Sequence, residues 1–364
     1  FFVGDDWQSI NGFSGSNYRI MTKMFEEYFG EYHRIDLAYT YRFNDKVCSL
    51  TKKFVEKNED QTKKDLSSFR GKFPKDKKDK IWNQKAPIKI KIIPDFTELR
   101  EGMTLMHRDY REGVIQSIKV TLDSPEDKNE IERILTVRFR KKLMKIDIND
   151  EKERSKIMIE RSFRELILKD VKQCIDKLKD PKKTIMFLNR LNLYKYQDGE
   201  TMRYLITEIH KYLGCKGLIN KNTPSEAKLF KEVSFLTAHS SKGLEADYVF
   251  ILKAHGAQGF PNARKTDRVL YPFLSHHIKT DSNKNVSLED LKLEEERRLF
   301  YVALTRSKNS TYIYTTGNSL FVDEIMKDKD SHEHIDVANL AINKNVSKLK
   351  AKPILLERKN KNNL

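Results

Sequence analysis

Six short runs rich in apolar residues recur along the chain: Ile35 to Ala38, Ile88 to Ile93, Thr184 to Leu188, Val233 to Thr237, Tyr248 to Leu252 and Thr311 to Thr315. Continuous runs of this length suit strands covered on both faces. Stretches of helical period lie between several of them. Residues 17–29 place Ile20, Met24, Phe25 and Phe29 on one face, and Asn44 to Lys57, Phe163 to Leu178 and Leu291 to Ala303 read as further helices. Strands alternating with helices predict an α/β fold on a mostly parallel sheet with helices on both faces. No run approaches the roughly 20 apolar residues of a spanning helix, so no transmembrane helix is expected.

One segment departs from this rhythm. From Glu98 to Ile148 the period is two, with Met103, Leu105 and His107, then Ile118, Val120 and Leu122, then Leu135, Val137 and Phe139, then Met144, Ile146 and Ile148 alternating with polar neighbours. Gly102, Gly113 and the polar loop Asp123 to Asn129 supply turns. This spacing predicts a small β-barrel at 98–150, inserted into the α/β domain. A helix at 157–178, with Ile159, Phe163, Leu166, Ile167, Val171 and Leu178 near one face, returns the chain to the sheet.

The 364 residues allow two to three domains at roughly 150 residues each. Lys plus Arg number 70 against 53 Asp plus Glu, a net charge of +17 that favours a polyanionic partner, nucleic acid before an anionic membrane surface. Two stretches concentrate the excess, residues 52–91 at net +8 and residues 344–361 at net +6. Either could equally be a solvated loop or a frayed basic tail. The three cysteines, Cys48, Cys174 and Cys215, form no CxxC pair. That usage fits a reducing, cytoplasmic setting and argues against a disulfide framework or a zinc site. The chain opens on Phe1-Phe2-Val3-Gly4, with no initiating Met and no secretory-signal pattern, and reads as part of a larger protein.

A Walker A loop needs G-x-x-x-x-G-K-[ST], whose backbone N–H groups cradle phosphates while the Lys reaches the outer ones. The one Gly-Lys pair, Gly71-Lys72, is followed by Phe73 and has Leu66 where the first glycine belongs, so the element is absent from this sequence. Three other stretches stand out: Val3-Gly4-Asp5-Asp6-Trp7-Gln8-Ser9-Ile10, Leu236-Thr237-Ala238-His239-Ser240-Ser241-Lys242-Gly243-Leu244-Glu245, and Glu294 through Arg306 with Glu-Glu-Glu-Arg-Arg at its start and Ala303-Leu304-Thr305-Arg306 at its end. Taken singly, each has a structural reading: a strand-ending turn, a strand-to-helix turn, and acids in the first turn of a helix.

Together, and in this order, they resemble motifs III, V and VI of the UvrD/Rep-like superfamily 1 DNA helicases, and Ala38-Tyr39-Thr40-Tyr41-Arg42-Phe43-Asn44 resembles motif IV. The first phrase, with Phe13-Ser14-Gly15 after it, is most similar to the helicase IV branch of that family. The resemblance covers roughly residues 1–95 and 170–325, and it implies two RecA-like motor domains with ATP and Mg2+ in the cleft between them. Motifs I, Ia and II would then lie upstream of Phe1. Residues 1–34 would end the first motor domain, 35–97 and 151–330 would form the second, 98–150 would be the inserted barrel and 331–364 a basic tail.

The resemblance also implies roles. Arg42 and Arg306 match two γ-phosphate arginines, Gln8 the γ-phosphate-sensing glutamine, and Glu245 the acid that accepts from the nucleotide ribose. Phe13 matches a base-stacking aromatic, although Asn11 and Ser14 replace the tyrosine and arginine of the UvrD pattern, which thins that platform. Thr237 and His239 match contacts to single-stranded DNA, and Lys242 would either meet phosphate or tie motif V to its neighbours. Gly256, Gly259, Phe260 and Pro261 resemble a Gly-Phe-Pro loop near DNA. Arg297 and Arg298 are expected to pair with nearby acids. Gly102 to His107, Tyr110 to Ile118 and Leu135 to Met144 resemble the small SH3/Tudor-like domain of UvrD-type helicases, which can dock on RNA polymerase.

The implied function is the C-terminal half of an ATP-dependent 3′-5′ DNA helicase acting in repair or recombination, inactive without its upstream half. The rival is a remodelling factor that binds a protein such as RNA polymerase through residues 98–148. A nuclease is disfavoured, because no carboxylate cluster has metal-ligand spacing.

Overall fold

A computed structural model of the chain describes residues 1–59, 61–69, 87–93, 101–102, 104–107, 110–122, 131–140, 142–148, 150, 157–158, 160–178, 183–190, 200–215, 233–254, 259–262, 287–316, 319–340 and 356–358. Met103, Ile159, Gly256, the loop at 123–129, residues 60 and 70–86 of the first basic stretch and most of the second lie outside them. In chain order the elements are α1 (Phe25–Phe29), β1 (Tyr39–Thr40), α2 (Asp45–Val55), β2 (Ser67–Ser68), β3 (Ile88–Ile93), β4 (Thr104–His107), β5 (Arg111–Leu122), β6 (Ile131–Phe139), β7 (Lys142–Asp147), β8 (Ile157–Met158) and α3 (Glu160–Lys177). There follow β9 (Ile185–Asn189), α4 (Glu200–Cys215), β10 (Val233–Thr237), β11 (Ala246–Ile251), α5 (Leu288–Leu304), β12 (Ser307–Thr316), α6 (Leu320–Lys327), β13 (Ile335–Asn339) and β14 (Leu356–Arg358). The chain divides into two compact units, one of residues 1–92, 176–199 and 206–338, the other of residues 93–175, 200–205 and 339–364.

The first unit is α/β. Its main sheet runs in the order β10-β9-β11-β12-β3-β13, and the β10–β9, β9–β11 and β11–β12 pairs are parallel. All five residues of β9 are buried, as expected for an apolar run flanked by two parallel neighbours. Register puts Phe235, Phe187, Phe250 and Tyr312 side by side across four strands. Their rings stack at 4.8, 5.1 and 4.5 Å, a ladder that favours this register over a slipped one.

Helix α2 starts where Asn44 Oδ1 accepts the Val47 N–H at 3.0 Å, and it buries Val47, Cys48, Leu50, Thr51, Phe54 and Val55. Helix α5 starts at Ser287, whose Oγ accepts the Asp290 N–H at 3.0 Å, with Glu289 and Asp290 at the positive end of its dipole. From Glu294 to Leu304 every residue of α5 is buried. This helix is the axis of a core that includes Trp7, Leu50, Ile88, Val249, Phe300 and Phe321.

Three expectations need correction here. The helix predicted over 17–29 breaks into a 3₁₀ turn at Tyr18–Met21 and the short α1, because Thr22 leaves helical geometry at φ −122°, ψ −87°. The run at 35–38 is not a strand: Ile35 and Leu37 are 86% and 84% exposed, and the extended segment follows at β1. The segment expected to be a basic tail from 331 onward starts as regular structure, since Lys329–His334 form a 3₁₀ turn and β13 takes the place beside β3 in the sheet.

The second unit carries an antiparallel sheet in the order β7-β6-β5-β4-β8, with β14 alongside β5. Where the period of two predicts a barrel, the described residues show this small sheet. One face buries Leu105, Ile115, Leu135, Val137, Phe139, Ile146 and Ile148. Gly113 faces Phe139 across β5 and β6, and a Cβ there would lie 2.5 Å from the phenyl ring, so only glycine fits.

Candidate functional site

The site is built at the N-terminal ends of β11 and β12 in the first unit. Arg306 sits between the end of α5 and the start of β12, directly after the buried residues Ala303, Leu304 and Thr305. That connection draws its side chain fully inside. Nε donates to Val302 O at 2.8 Å, Nη1 to Leu244 O at 3.2 Å, and Nη2 to Thr305 Oγ1 at 3.2 Å and Gln8 Oε1 at 3.4 Å. All four acceptors are neutral oxygens. Burial, with the charge of Arg42 close by, pulls the Arg306 pKa down to about 10, which leaves the group charged at neutral pH.

Arg42 follows β1. Its Nε meets Glu245 Oε2 at 3.1 Å and its Nη1 donates to Thr305 O at 3.3 Å. The other Glu245 oxygen, Oε1, pairs with Lys308 Nζ at 2.6 Å. The Lys308 hydrogen bond, and then that of Arg42, hold the Glu245 carboxyl below its ordinary value although burial acts the other way. Glu245 therefore serves two cations here, and a ribose hydroxyl would share or displace one of them.

Gln8 closes a 3₁₀ turn, Asp6–Gln8, capped where Asp5 Oδ1 accepts the Trp7 N–H at 3.2 Å. The Gln8 amide donates to Asp5 Oδ2. Lys64 Nζ lies 2.7 Å from Asp5 Oδ1 and also contacts Asp6. Burial would lower the Lys64 pKa, but Asp5 and Asp6 outweigh it and hold the ammonium above its ordinary value. Trp7 donates to Thr62 O at 2.8 Å and packs edge-on to Tyr301 at 5.5 Å, which seats this turn against α5. Gln8, Arg42, Glu245 and Arg306 are thus brought together.

The residues assigned to DNA are placed elsewhere. Thr237 ends β10 at the opposite, C-terminal edge of the parallel strands, level with Asn189. Thr237 Oγ1 accepts the Ser240 N–H at 3.1 Å, and Lys242 N–H donates to His239 O at 3.2 Å, winding the segment into a turn completed by Gly243 at φ +85°. Lys242 is exposed and His239 half-buried. Phe13 belongs to the 3₁₀ turn Gly12–Ser14, and its side chain lies outside the described residues.

The Phe260 ring is fully buried against Phe300 at 4.9 Å, and Gly259 is buried too. The loop is anchored. Asn262 N–H donates to Glu296 Oε2 at 3.1 Å, and the same carboxylate takes Arg190 Nε at 2.9 Å.

Arg297 and Arg298 behave as expected of structural pairs. Arg297 grips Glu324 with both nitrogens and lies between the rings of Phe54 and Phe321, 5.1 and 5.0 Å from their centroids. Arg298 lies 3.7 Å from Glu294 and donates to Ser9 O at 2.8 Å. Sequence reading missed Lys308, Lys64 and the exposed Tyr41, whose ring lies 4.5 Å from that of Phe69 beside Arg42. Tyr41 was legible in principle, because it adjoins Arg42 in motif IV. Nothing local marks the two lysines.

With this sheet, this axis helix and these arginines in place, the comparison with known proteins is direct. The chain belongs to the family of the UvrD-like helicase C-terminal domain, whose pattern matches residues 14–318. DNA helicase IV of Escherichia coli K12 is 25% identical over 335 residues, 91% of this chain and 31% of that protein. DNA helicase II of Rickettsia typhi is 33% identical over 106 residues, 29% of this chain and 13% of that protein. A probable DNA helicase II homolog of Mycoplasma capricolum subsp. capricolum is 35% identical over 111 residues, 30% of this chain and 12% of that protein. The chain thus spans 31% or less of these relatives. Among the described residues, no helix is long and apolar enough to cross a membrane.

Proposed function

We propose that this chain is the C-terminal part of a cytoplasmic, ATP-dependent 3′-5′ DNA helicase of repair or recombination, with residues 1–34 closing one RecA-like motor domain and 35–97 plus 151–330 forming the other. The observation that carries the reading is Arg306: a fully buried guanidinium, held only by neutral oxygens, close to a second arginine. A buried cation without a carboxylate partner is costly unless an anion completes it. Phosphoryl transfer spreads negative charge over the phosphate oxygens, and planar guanidinium groups suit that charge. Arg306 and Arg42 would meet the γ-phosphate of ATP, with Gln8 reporting its presence, and the exposed Tyr41 ring is available to a planar base.

Among the described residues no group of three His, Cys, Asp or Glu is placed to hold a metal ion, so no step of the reaction is assigned to Mg2+ through this chain. Mg2+ and the remaining phosphate contacts would come with upstream motifs, and this chain alone would not turn over ATP. Single-stranded DNA would lie toward Thr237, His239 and Lys242, at the far edge of the strands from the arginines. Nucleotide state and DNA grip would then be linked through the segment 238–245, which runs from one edge to the other.

A second reading, remodelling of a protein complex such as RNA polymerase, is favoured by the antiparallel sheet, which we take as a version of the SH3/Tudor-like module. Val114, Arg138 and Leu143 are exposed cross-strand neighbours on its outer face. Strand displacement by the full-length protein separates the two. Unwinding of a duplex with a 3′ single-stranded tail, and not of one with a 5′ tail, is expected. ATP turnover without unwinding of either would replace the helicase by the remodeller.

A further inference from the structure

We propose that Lys64 is a positioning residue for phosphoryl transfer, acting through Asp5 to hold the Gln8 side-chain amide in the single orientation that presents its oxygen to Arg306. This deepens the function proposed above and rests on it.

The argument follows from donors and acceptors. The Gln8 amide lies between two groups of fixed character. On one side is the Asp5 carboxylate, which when ionised only accepts; on the other is the Arg306 guanidinium, which only donates. The amide can satisfy both in one way alone, with its NH2 on Asp5 and its oxygen on Arg306 Nη2 at 3.4 Å. A flipped amide would set oxygen against carboxylate and NH2 against guanidinium. The choice is enforced only while the Asp5 carboxylate stays in place.

Lys64 holds it there. Its Nζ lies 2.7 Å from Asp5 Oδ1, contacts Asp6, and stands 5.1 Å from the centre of the Trp7 ring. It is also fixed from behind, since its backbone N–H donates to Glu56 Oε1 at 3.3 Å and the neighbouring Thr62 N–H donates to Asp6 Oδ2 at 3.2 Å. Asp5 and Asp6 are adjacent in sequence, so without the ammonium two carboxylates would repel each other and Asp5 would turn toward water. The run Lys64, Asp5, Gln8, Arg306 therefore connects the basic stretch at 52–91 to the buried arginine by three successive polar contacts. Net charge suggests that this stretch belongs to nucleic acid. Lys64 is turned inward instead.

The test is DNA-stimulated ATP turnover by the full-length protein, with the parent, Lys64→Met, Lys64→Arg, Asp5→Asn, Gln8→Ala and the Lys64→Met/Gln8→Ala double variant. Lys64→Met should lower kcat by about ten- to a hundredfold, because a misplacement of about 1 Å costs that much, while KM for ATP moves less than about threefold. Lys64→Arg should restore kcat to within about threefold of the parent, since it keeps the charge. Asp5→Asn leaves the Lys64–Asp6 pair to hold the fold but gives position 5 a donor as well as an acceptor. It should lose kcat like Lys64→Met. In the double variant the Lys64 substitution should cost no more than about a further twofold, because both changes act on one element.

Full additivity in the double variant, or an Asp5→Asn protein with parental kcat, would overturn the proposal. Failure of the underlying function shows separately, as unchanged turnover in Arg306→Ala. The proposal is then judged by urea unfolding of the same variants. Less-than-additive stability losses for Lys64→Met and Gln8→Ala would support it, and additive ones would reject it.

Discussion

Arg297→Ala tests how this fold treats charge inside its core. Arg297 lies on α5 with its side chain 7% exposed, its guanidinium engaging both oxygens of Glu324 and its plane between Phe54 and Phe321. Breaking a buried pair by removing one partner costs about 3–5 kcal/mol. Lys57 Nζ, 3.3 Å from Glu324, would still compensate the carboxylate, which places the electrostatic loss at or below the lower end of that range. Two cation–π contacts and the packing of the arginine stem are lost as well, at about 0.5–1 kcal/mol each for modest examples. A total of about 3 kcal/mol is expected.

The pH dependence follows from Glu324. Burial acts to raise its pKa, but Arg297 and Lys57 prevail and hold it below the ordinary value of 4.5. A depressed carboxylate pKa contributes stability above the unfolded value and loses it as pH falls through the folded value. The gap between parent and variant should therefore be largest near neutral pH and narrow as pH falls below 4.5 and through the lowered folded value of Glu324. Urea unfolding followed by circular dichroism at pH 7 and at acid pH measures it. A gap under about 1 kcal/mol at pH 7, the size of an exposed pair, or a gap that widens toward acid, would refute the reasoning.

Three further outcomes are expected. Nucleic-acid binding by this chain should be blind to sequence, and its log affinity should fall linearly with log salt, as counterion release requires; a flat response would show that the net +8 and +6 stretches are only solvated surface. Replacing residues 98–148 with a short Gly/Ser linker should leave a cooperative thermal transition for the α/β unit, because the core around α5 contains no residue of that segment; loss of the α/β signal would reject the boundary. Phe260→Ala should cost about 3–5 kcal/mol in denaturant unfolding, as a large buried ring does, and a stability loss under about 1 kcal/mol with weakened DNA binding would assign Phe260 to the DNA side.

Most of the sheet was legible because buried parallel strands are short apolar runs. Val233–Thr237 matches its run residue for residue, β9 (Ile185–Asn189) and β11 (Ala246–Ile251) are slightly shifted against theirs, and β12 (Ser307–Thr316) begins earlier than its run. The run at Ile35 to Ala38 misled because its apolar side chains are exposed, and apolar content alone does not say what covers it. The helix predicted at 17–29 failed for a related reason: the periodic pattern was present, but Asn17 and Thr22 carry local backbone geometry that limits it to a turn. The barrel expected at 98–150 had the right period and strand spacing, which fix pairing between neighbours and not closure.

In the site, the arginines and Gln8 were legible through motif order. Their surroundings were not. Arg42 meets a glutamate 203 positions away, and Lys64 reaches back 59 positions to Asp5, separations that no local spacing encodes. Burial of Arg306 is visible only in hindsight, from the apolar sequence that leads into it. The burial of Phe260 was not legible, because a Gly-Phe-Pro sequence serves a packed turn as well as an exposed loop.

The central claim, that Arg306 faces charge that develops as phosphate is transferred, is tested most directly by DNA-stimulated ATP turnover of the full-length protein with Ala or Lys at this position. An arginine finger is worth about 10³–10⁵ in rate, so Arg306→Ala should lose at least about 10³ in kcat with a much smaller change in KM. Arg306→Lys should not rescue, because an ammonium cannot reproduce the planar fork that Val302, Leu244, Thr305 and Gln8 orient. Single-stranded DNA binding without nucleotide should stay at the parental level. A loss in kcat of less than about tenfold in Arg306→Ala, with the protein folded, would contradict the account.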